Sequence, residues 1–300
     1  MPVILSEQTG SAGWVSLPVG SFSADSTGAS IVASAHRADG IVINGPTFSS
    51  QRNAWVPYSA EQLSPDQRRY AYLLRGYEQN GPVSYGLHTA NTDGSGDRTL
   101  ATAQMVGIWK LLGWRAEGIF ISETTGSHNS LLRFDATTGA EAVVDRGDSR
   151  RWDVMDHATF WGVGSENGDP PTPFPTIGNA DRLMTLDPES GEVATRFYEP
   201  HSLVVGVLGF DRLGNPVFAT YDGTNVDVSY LPGPGQRKVI ETDPMGQGIG
   251  PNGGGQPDAL GVWFGSSEGV IRFFDGTSMR RVANLNTRVV QIAGPCVPAT

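Results

Sequence analysis

An all-β protein made of repeated four-stranded antiparallel units is predicted by three features of the sequence. Short β-rich runs recur in pairs around tight turns that carry Asp and Gly, as expected of hairpins. The turn glycines recur at intervals of 43, 52, 44 and 41 residues, at Gly96, Gly139, Gly191, Gly235 and Gly276. No stretch has a clear 3.6-residue apolar period bounded by helix caps, so few helices are expected.

Each unit contains more than its hairpin, because a further apolar run precedes the hairpin in every copy. These runs are rich in β-branched and aromatic residues and lie at 69–74, 118–122, 158–163, 216–221 and 260–264. Some of these apolar runs are preceded by a shorter run, such as 108–113 or 204–210, and a polar turn separates the two. Four strands per unit is therefore the simplest count.

The spacing of the turns determines the number of units. Six units of 45 residues account for 270 of the 300 residues, whereas seven would need 315. The segments 40–44 and 54–56, with a polar loop near Ser50 between them, are interpreted as the remaining copy.

A four-stranded unit of about 45 residues is typical of a propeller blade, whose two apolar faces are covered by neighbouring blades. We therefore predict a single six-bladed β-propeller domain over residues 1–300. Its ring is closed when the segment 286–293 adds the innermost strand to a first blade formed by the N-terminal region.

Two adjacent stretches resemble the TolB-type, WD-repeat-like propeller repeat. The segment Ser64-Pro65-Asp66-Gln67-Arg68-Arg69 carries the first half of that motif, and Asn91-Thr92-Asp93-Gly94-Ser95-Gly96 begins the second. Gln67 replaces the usual glycine, which indicates a turn without a positive φ at that position. The resemblance covers one blade and implies the fold, but it implies no catalytic residue because the motif residues form turns.

Composition excludes several classes of function. The net charge is −10 and the pI is about 4.9, which argues against a nucleic-acid groove lined by Lys and Arg. No apolar run approaches the roughly 20 residues of a membrane span, and no secretory signal peptide is visible. Cys296 is the only cysteine, so an intrachain disulfide is impossible. We expect a monomer outside the cytoplasm, with a leader absent from this chain.

Metal and catalytic motifs are not supported by the residue spacing. Asn91, Asp93 and Ser95 resemble the start of a calcium loop, but Thr102 stands where the bidentate glutamate is needed, so a hairpin turn is expected. The five histidines are scattered, and the Gly-x-Ser-x-Gly motif of a nucleophile elbow does not occur. We accordingly predict no cofactor, metal ligand or catalytic residue, although distant histidines could converge in a closed ring.

The predicted binding surface is the rim that carries the loops between blades and those between the second and third strands of each blade. One such loop is an insertion at 165–180. Loops on a rigid scaffold often carry function. An aromatic, arginine and carboxylate mixture could bind a peptide or sugar there, with Trp152 and Phe174 as stacking anchors. The candidate ligand-binding residues are His128, Arg151, Trp152, Phe174, Glu199, His201 and Asp243.

Three kinds of function fit this prediction. The first is a non-catalytic recognition scaffold that binds a protein, peptide or glycan on its rim. The alternative is a lyase or hydrolase with acid and base groups at the axial mouth, or the propeller part of a prolyl-oligopeptidase-like system. The third is a structural module without a ligand pocket. Bound metal, or two titratable groups within hydrogen-bond reach in the channel, would favour the enzyme.

Overall fold

The computed structural model describes residues 1–5, 11–43, 46–76, 82–105, 107–125, 128–147, 149–156, 159–165, 180–200, 202–244, 255–287 and 289–297. Helix α1 spans Ser26–Ser34, and a 3-10 helix spans Ala60–Gln62. In chain order the strands are β1 Pro2–Leu5, β2 Ser11–Ser16, β3 Ser21–Ala24, β4 His36–Arg37, β5 Gly40–Ile43, β6 Thr47–Ser49, β7 Ala54–Val56, β8 Arg69–Arg75, β9 Val83–Asn91, β10 Arg98–Met105, β11 Gly107–Arg115, β12 Gly118–Thr125, β13 Asn129–Phe134, β14 Glu141–Arg146, β15 Arg150–Asp156, β16 Thr159–Gly164, β17 Arg182–Leu186, β18 Val193–Tyr198, β19 Leu203–Phe210, β20 Pro216–Tyr221, β21 Asn225–Tyr230, β22 Lys238–Pro244, β23 Gln256–Pro257, β24 Val262–Phe264, β25 Val270–Phe274, β26 Met279–Asn284 and β27 Val290–Ile292.

These strands form the six antiparallel sheets of a six-bladed β-propeller, which confirms the predicted fold class. Blade 1 has the strand order β27-β1-β2-β3, and blades 3 to 6 are the consecutive sets β11–β14, β15–β18, β19–β22 and β23–β26. Blade 2 differs from the predicted four strands because β4 extends it to the five-stranded order β10-β9-β8-β5-β4. Strands β6 and β7 form a separate hairpin.

The chain divides into two compact units. The first comprises Met1–Ser34, Pro46–Val56 and Arg196–Thr300, and the second comprises Ala35–Gly45 and Pro57–Thr195. Blades 1, 5 and 6, helix α1 and the β6–β7 hairpin belong to the first unit, and blades 2, 3 and 4 belong to the second, apart from residues 196–198 of β18. The single domain over residues 1–300 stays a prediction.

Both chain termini contribute to blade 1, as the sequence predicted. β27 pairs with β1 in antiparallel register, with Val3 opposite Ile292 and Leu5 opposite Val290. These apolar side chains join Trp263, Ile271 and Phe273 of blade 6 in one buried core cluster. The terminal strand therefore completes a sheet and also covers part of its neighbour.

In the second unit, strand alternation supplies both faces of blade 3. On β12, Ile119 and Ile121 belong to a core cluster shared with β8 and β9 of blade 2. Phe120 lies between them in sequence and packs into a different cluster with Phe160 of blade 4, because successive side chains of a strand point to opposite faces. Blade 3 is thus covered on both faces, which explains why its inner strands are apolar on both sides.

The first unit is assembled in the same way, with one irregular addition. Phe264 and Phe274 of blade 6 pack with Val217 and Val228 of blade 5. The other face of blade 1 is covered by α1 and the β6–β7 hairpin, which contribute buried residues Val32, Phe48 and Trp55. In the described part of the chain, no helix is both long and apolar enough to span a membrane.

The N-terminal helix occupies a segment whose sequence is weakly patterned. Asp25 caps α1 by accepting hydrogen bonds at Oδ1 from the backbone N–H of Thr27 (2.9 Å) and of Gly28 (3.1 Å). Gly28 is required by close packing, since a Cβ there would lie 2.6 Å from the ring of Trp55. Contact with the β6–β7 hairpin stabilises this short helix, which the sequence does not predict because it lacks a strong helical periodicity.

The predicted copy at residues 40–56 is wrong. Its first part, β5, pairs with β8 of blade 2, with Val42 opposite Leu74. The loop near Ser50 does connect two antiparallel strands, but β6 and β7 pair only with each other, with Phe48 opposite Trp55. The sixth blade is instead formed by β1, β2 and β3 of the N-terminal region together with β27. The predicted number of six blades is therefore correct, although residues 40–56 do not form one of them.

The remaining hairpin turns lie where the glycine spacing placed them. Gly96, Gly139, Gly191, Gly235 and Gly276 all have φ between 66° and 94°, in the left-handed region that glycine adopts without strain. Asp135 and Asp187 accept hydrogen bonds from the backbone of their own turns, as expected. One expectation fails: Gln67 has φ = 57°, so this turn does require a positive φ although glycine is absent.

Candidate functional site

Five of the seven predicted binding residues lie in the described part of the chain. In the second unit, His128 lies in the turn between β12 and β13, and Arg151 and Trp152 lie in β15. In the first unit, Glu199 follows β18 and Asp243 lies in β22. Phe174 and His201 are outside the described residues, as is most of the insertion at 165–180. That insertion connects β16 to β17, the second and third strands of blade 4, as predicted.

Trp152 is a core residue, so its predicted role as a stacking anchor is wrong. Its side chain is 1% exposed and packs in a cluster with Phe120 and Phe160. Its indole Nε1 donates a 2.9 Å hydrogen bond to Asp145 Oδ2. A tryptophan near a strand terminus resembles a ligand platform in sequence, and only burial distinguishes the two roles.

In the first unit, the carboxylates of Asp243 and Glu199 are engaged by arginines. Asp243, a predicted residue of the binding rim, lies in β22, is 5% exposed, and accepts from Arg272 (3.0 Å) and Arg281 (3.1 Å). Glu199 Oε2 lies 3.5 Å from Nη1 of Arg237, whose Nη2 also donates to Asp227 at 2.6 Å. These ion pairs give both predicted residues a structural role.

The second unit does bring charged groups together at one end of blades 3 and 4. There β11 begins, the β12–β13 turn lies opposite it, and β15 begins after β14. β15 also packs against β11, β12 and β13. We define the rim cluster by the charged or titratable residues at this end of the strands: Lys110, Glu123, His128, Asp145, Arg146, Arg150, Arg151 and Asp153.

Arg151 and Asp153 form the tightest ion pair of the rim cluster. Arg151 Nε lies 2.7 Å from Asp153 Oδ1, and Nη2 lies 3.2 Å from Oδ2, so the contact is bidentate. Burial lowers the pKa of Arg151, but the charge and hydrogen bond of Asp153 outweigh it and the pKa is raised overall. Such a pair fixes both side chains in place.

The other two carboxylates of the rim cluster also have partners. Glu123 accepts from Trp109 Nε1 at 2.9 Å and lies 3.5 Å from His128 Nε2. Asp145 Oδ1 accepts from Arg150 Nη2 at 2.9 Å, and its Oδ2 accepts from Trp152. Every acidic group of the cluster is therefore compensated by a neighbouring donor.

Like Arg146 at the end of β14, Lys110 is a cation of this cluster without a counter-ion among the described residues. It is solvent-exposed, and among the described residues it makes no hydrogen bond or ion pair within 4 Å. The surrounding protein lowers the pKa of its ammonium group by desolvation, whereas the charge of Asp153 acts in the opposite direction. The arrangement can attract an anionic group to Lys110.

Sequence reasoning missed Lys110, Asp145 and Asp153 as members of this cluster. A signal for one of them was present, because Lys110 interrupts the apolar run 108–113 and is one of only two lysines. Asp145 and Asp153 became visible only in the structure, where β15 of blade 4 packs against β11, β12 and β13 of blade 3. Among the residues that the structure describes, no group of three or more His, Cys, Asp or Glu is placed to hold a metal ion.

Comparisons with known proteins support the fold and no more. No protein-family model matches the chain, and no curated protein matches it. Among solved structures, a chain of a nidogen/laminin complex matches over 97% of both chains with 11% identity and a TM-score of 0.50. At this identity the likeness supports the propeller fold without indicating a function.

Two further solved structures resemble this chain with TM-scores below 0.5, and no conclusion about fold or function is based on them. TolB from Acinetobacter baumannii is 17% identical, with 87% of this chain and 67% of that chain covered and a TM-score of 0.47. Acylaminoacyl peptidase from Pyrococcus horikoshii is 13% identical, with 72% of this chain covered and a TM-score of 0.45. This chain spans 38% of the length of that peptidase chain.

Proposed function

We propose that this β-propeller is a non-catalytic recognition module that binds an acidic peptide or glycan at the rim cluster. The observation that carries the proposal is the charge left after internal pairing. Asp153, Glu123 and Asp145 are each compensated, and the ammonium group of Lys110 remains without a partner within 4 Å among the described residues.

The ligand should carry a carboxylate or a comparable anionic group near this ammonium. The whole chain has a net charge of −10, so a local cation provides specific attraction for an anion that the rest of the surface repels.

A recognition role also agrees with the rigidity of the cluster. The Arg151–Asp153 pair and the Trp109–Glu123 hydrogen bond hold charged side chains on strands of two adjacent blades. Groups that are already ordered lose little conformational entropy when a ligand binds.

The two lysines of the chain provide a matched test. We expect Lys110→Gln to weaken binding of an acidic peptide about tenfold, and Lys238→Gln, an exposed lysine of β22 in the first unit, to leave it unchanged. Fluorescence anisotropy with a labelled glutamate-rich peptide, a glutamine-rich control and an acidic oligosaccharide measures this. Equal affinity of the two lysine variants would contradict the proposal.

The pH dependence supplies a second readout of the same site. The ammonium form of Lys110 is the form that attracts the anion. Binding is therefore retained below the pKa of Lys110 and is lost as the pH rises through it. Because desolvation lowers that pKa, the loss should begin at a lower pH than an ordinary lysine titrates.

The enzyme alternative rests on the His128–Glu123 contact. At 3.5 Å, an imidazole and a carboxylate could hold and move a proton between them. Catalysis would be supported if the wild type turned over peptide or uronate substrates and Glu123→Gln abolished this turnover while binding was retained.

A further inference from the structure

A second candidate ligand site lies at the opposite strand ends of the second unit. There a cavity of about 290 Å³ opens between three segments: the loop before β8, the β11–β12 turn and the β13–β14 turn. We call it the turn cavity. Lys110 lies toward the start of β11 and the cavity toward its end, so the turn cavity is separate from the rim cluster.

Two walls of the turn cavity are rigid turns. Asp66 Oδ1 accepts from Ser64 Oγ at 2.6 Å, and Asp135 Oδ1 accepts from the backbone N–H of Thr137 at 2.9 Å. The latter turn is also bound from outside by Arg98, whose Nη2 donates to the carbonyl of Thr137 at 2.9 Å. The Oδ1 atoms of both aspartates are thus used within the protein.

An arginine is held flat on one wall. The guanidinium of Arg69 lies 5.1 Å from the ring centroid of Trp114, a cation–π contact that leaves the N–H edges of the guanidinium available. Trp114 itself is only 7% exposed, so its ring offers little open surface. A ligand at this wall would therefore meet hydrogen-bond donors and little aromatic surface.

A second arginine lines the same cavity without a close counter-ion. Arg115 is half-buried, and burial lowers the pKa of its guanidinium, although the charges of Glu117 and Asp156 act in the opposite direction. Within the described residues, neither Arg69 nor Arg115 lies within 4 Å of a carboxylate. Two guanidinium groups thus border one small cavity, together with the carboxylates of Asp66, Glu117 and Asp135, and their N–H donors are not used by an ion pair.

We propose that the turn cavity binds the carboxyl-terminal residue of a peptide, with its carboxylate on Arg69 and Arg115. A planar carboxylate matches the forked donors of a guanidinium, and C-terminal capture is a known mode of peptide recognition. The cavity is near the lower limit of about 300 Å³ for small-molecule sites, which suits a ligand of about one residue.

A sugar acid shares the carboxylate but fits less well. Carbohydrate rings bind through exposed aromatic faces, and the only tryptophan of this cavity is covered by Arg69. The test therefore includes glucuronate as a separate arm.

The experiment measures binding of N-acetyl-Ala-Phe by isothermal titration calorimetry, with the C-terminal amide of the same dipeptide as the charge control. We expect the free acid to bind and the amide to bind at least about tenfold more weakly, because charge-assisted hydrogen bonds are lost. Arg115→Gln should lose a similar factor. Arg68→Gln, an exposed neighbour that does not line the cavity, should lose nothing.

Further variants separate this site from others. Glu117→Gln should strengthen binding, because it removes a negative charge from the cavity edge. Lys110→Gln should not change it, so failure here and failure at the rim cluster are distinguishable. Three results would overturn the proposal: equal binding of acid and amide, no binding of the acid, or tighter binding of glucuronate. Circular dichroism of each variant ensures that lost binding reflects the site and not unfolding.

Discussion

Arg272 binds Asp243 with its guanidinium completely buried. Nη2 of Arg272 donates to Asp243 Oδ2 at 3.0 Å, and its Nε donates to Glu241 Oε1 at 2.9 Å, while the arginine side chain is 0% exposed. Arg272 lies on β25 of blade 6, and both acids lie on β22 of blade 5. The carboxylate of Asp243, which the sequence predicts to bind a ligand, therefore links two adjacent blades of the first unit.

Removing this buried arginine should destabilise the protein strongly. Arg272→Ala leaves two acidic groups without their buried counter-ion, and we expect a loss of roughly 3–5 kcal/mol in the free energy of unfolding. Arg281→Ala is the control, since Arg281 also contacts Asp243 but is 60% exposed, and it should cost less than about 1 kcal/mol. Urea unfolding measures both. Similar losses for the two variants would show that burial is not the cause.

Replacing Gln67 with glycine should stabilise the turn before β8. The positive φ of 57° strains a residue with a Cβ, and glycine relieves that strain by up to about 1 kcal/mol. The neighbouring Arg68→Gly change should instead destabilise by about 0.5–1 kcal/mol, because glycine there only adds freedom to the unfolded chain. Thermal unfolding of both variants tests the difference in sign. A lower Tm for Gln67→Gly would refute the strain argument.

Acid should weaken the hairpin turn at Asp275. Hydrogen bonds from the Thr277 hydroxyl, then from the backbone N–H groups of Ser278 and Thr277, lower the pKa of this carboxyl. A carboxyl with a lowered pKa in the folded state stabilises the fold above its unfolded pKa, near 3.9, and that contribution disappears as the pH falls. Between pH 5 and 2, the Tm of the wild type should therefore fall more steeply than that of Asp275→Asn. Parallel curves would contradict this assignment.

The hydroxyl of Tyr72 should be essential to a polar network in blade 2. It accepts from Arg37 Nη1 at 2.7 Å, while Asp97 Oδ1 lies 3.1 Å from His88 Nδ1. Burial, then the hydrogen bond and charge of Asp97, raise the pKa of Tyr72. Tyr72→Phe should cost about 1–2 kcal/mol, because it leaves Arg37 and Asp97 without a shared partner.

The control for this network is Tyr221→Phe, whose hydroxyl binds a backbone carbonyl at an exposed turn. It should cost less than Tyr72→Phe. Absorbance titration gives a further readout: Tyr72 should resist ionisation at alkaline pH at which an ordinary tyrosine titrates. If Tyr72→Phe removes part of the absorbance change in the pH range in which ordinary tyrosines ionise, Tyr72 titrates normally and the raised pKa is contradicted.

The fold could be predicted because its signals are local. A propeller blade repeats its turns at a nearly constant spacing, and positive-φ glycines such as Gly139 and Gly191 mark those turns in the sequence itself. β-rich runs between the turns supply the strands, so blades 3 to 6 could be assigned from the chain alone. The closing strand β27 could also be predicted, because a ring needs a strand from the other terminus.

What the sequence could not determine was which partner each segment would choose. β5 pairs with β8, whereas β6 pairs with β7, since the competing pairings differ in tertiary packing and not in local pattern. The same limit applies to the site. Trp152 and Asp243 have the residue types of ligand contacts, but burial against neighbouring blades makes one a core residue and the other a counter-ion.

By itself, then, the sequence determined the repeat, the number of blades, the positive-φ turns and the excess of negative charge, because each depends on residues close together in the chain. Only the tertiary structure decided which charges are paired and which remain available. Arg272 is paired with Asp243 of the neighbouring blade, while Lys110 has no counter-ion within 4 Å among the described residues. Pairing depends on distances between strands of different blades, and no spacing along one chain encodes those distances.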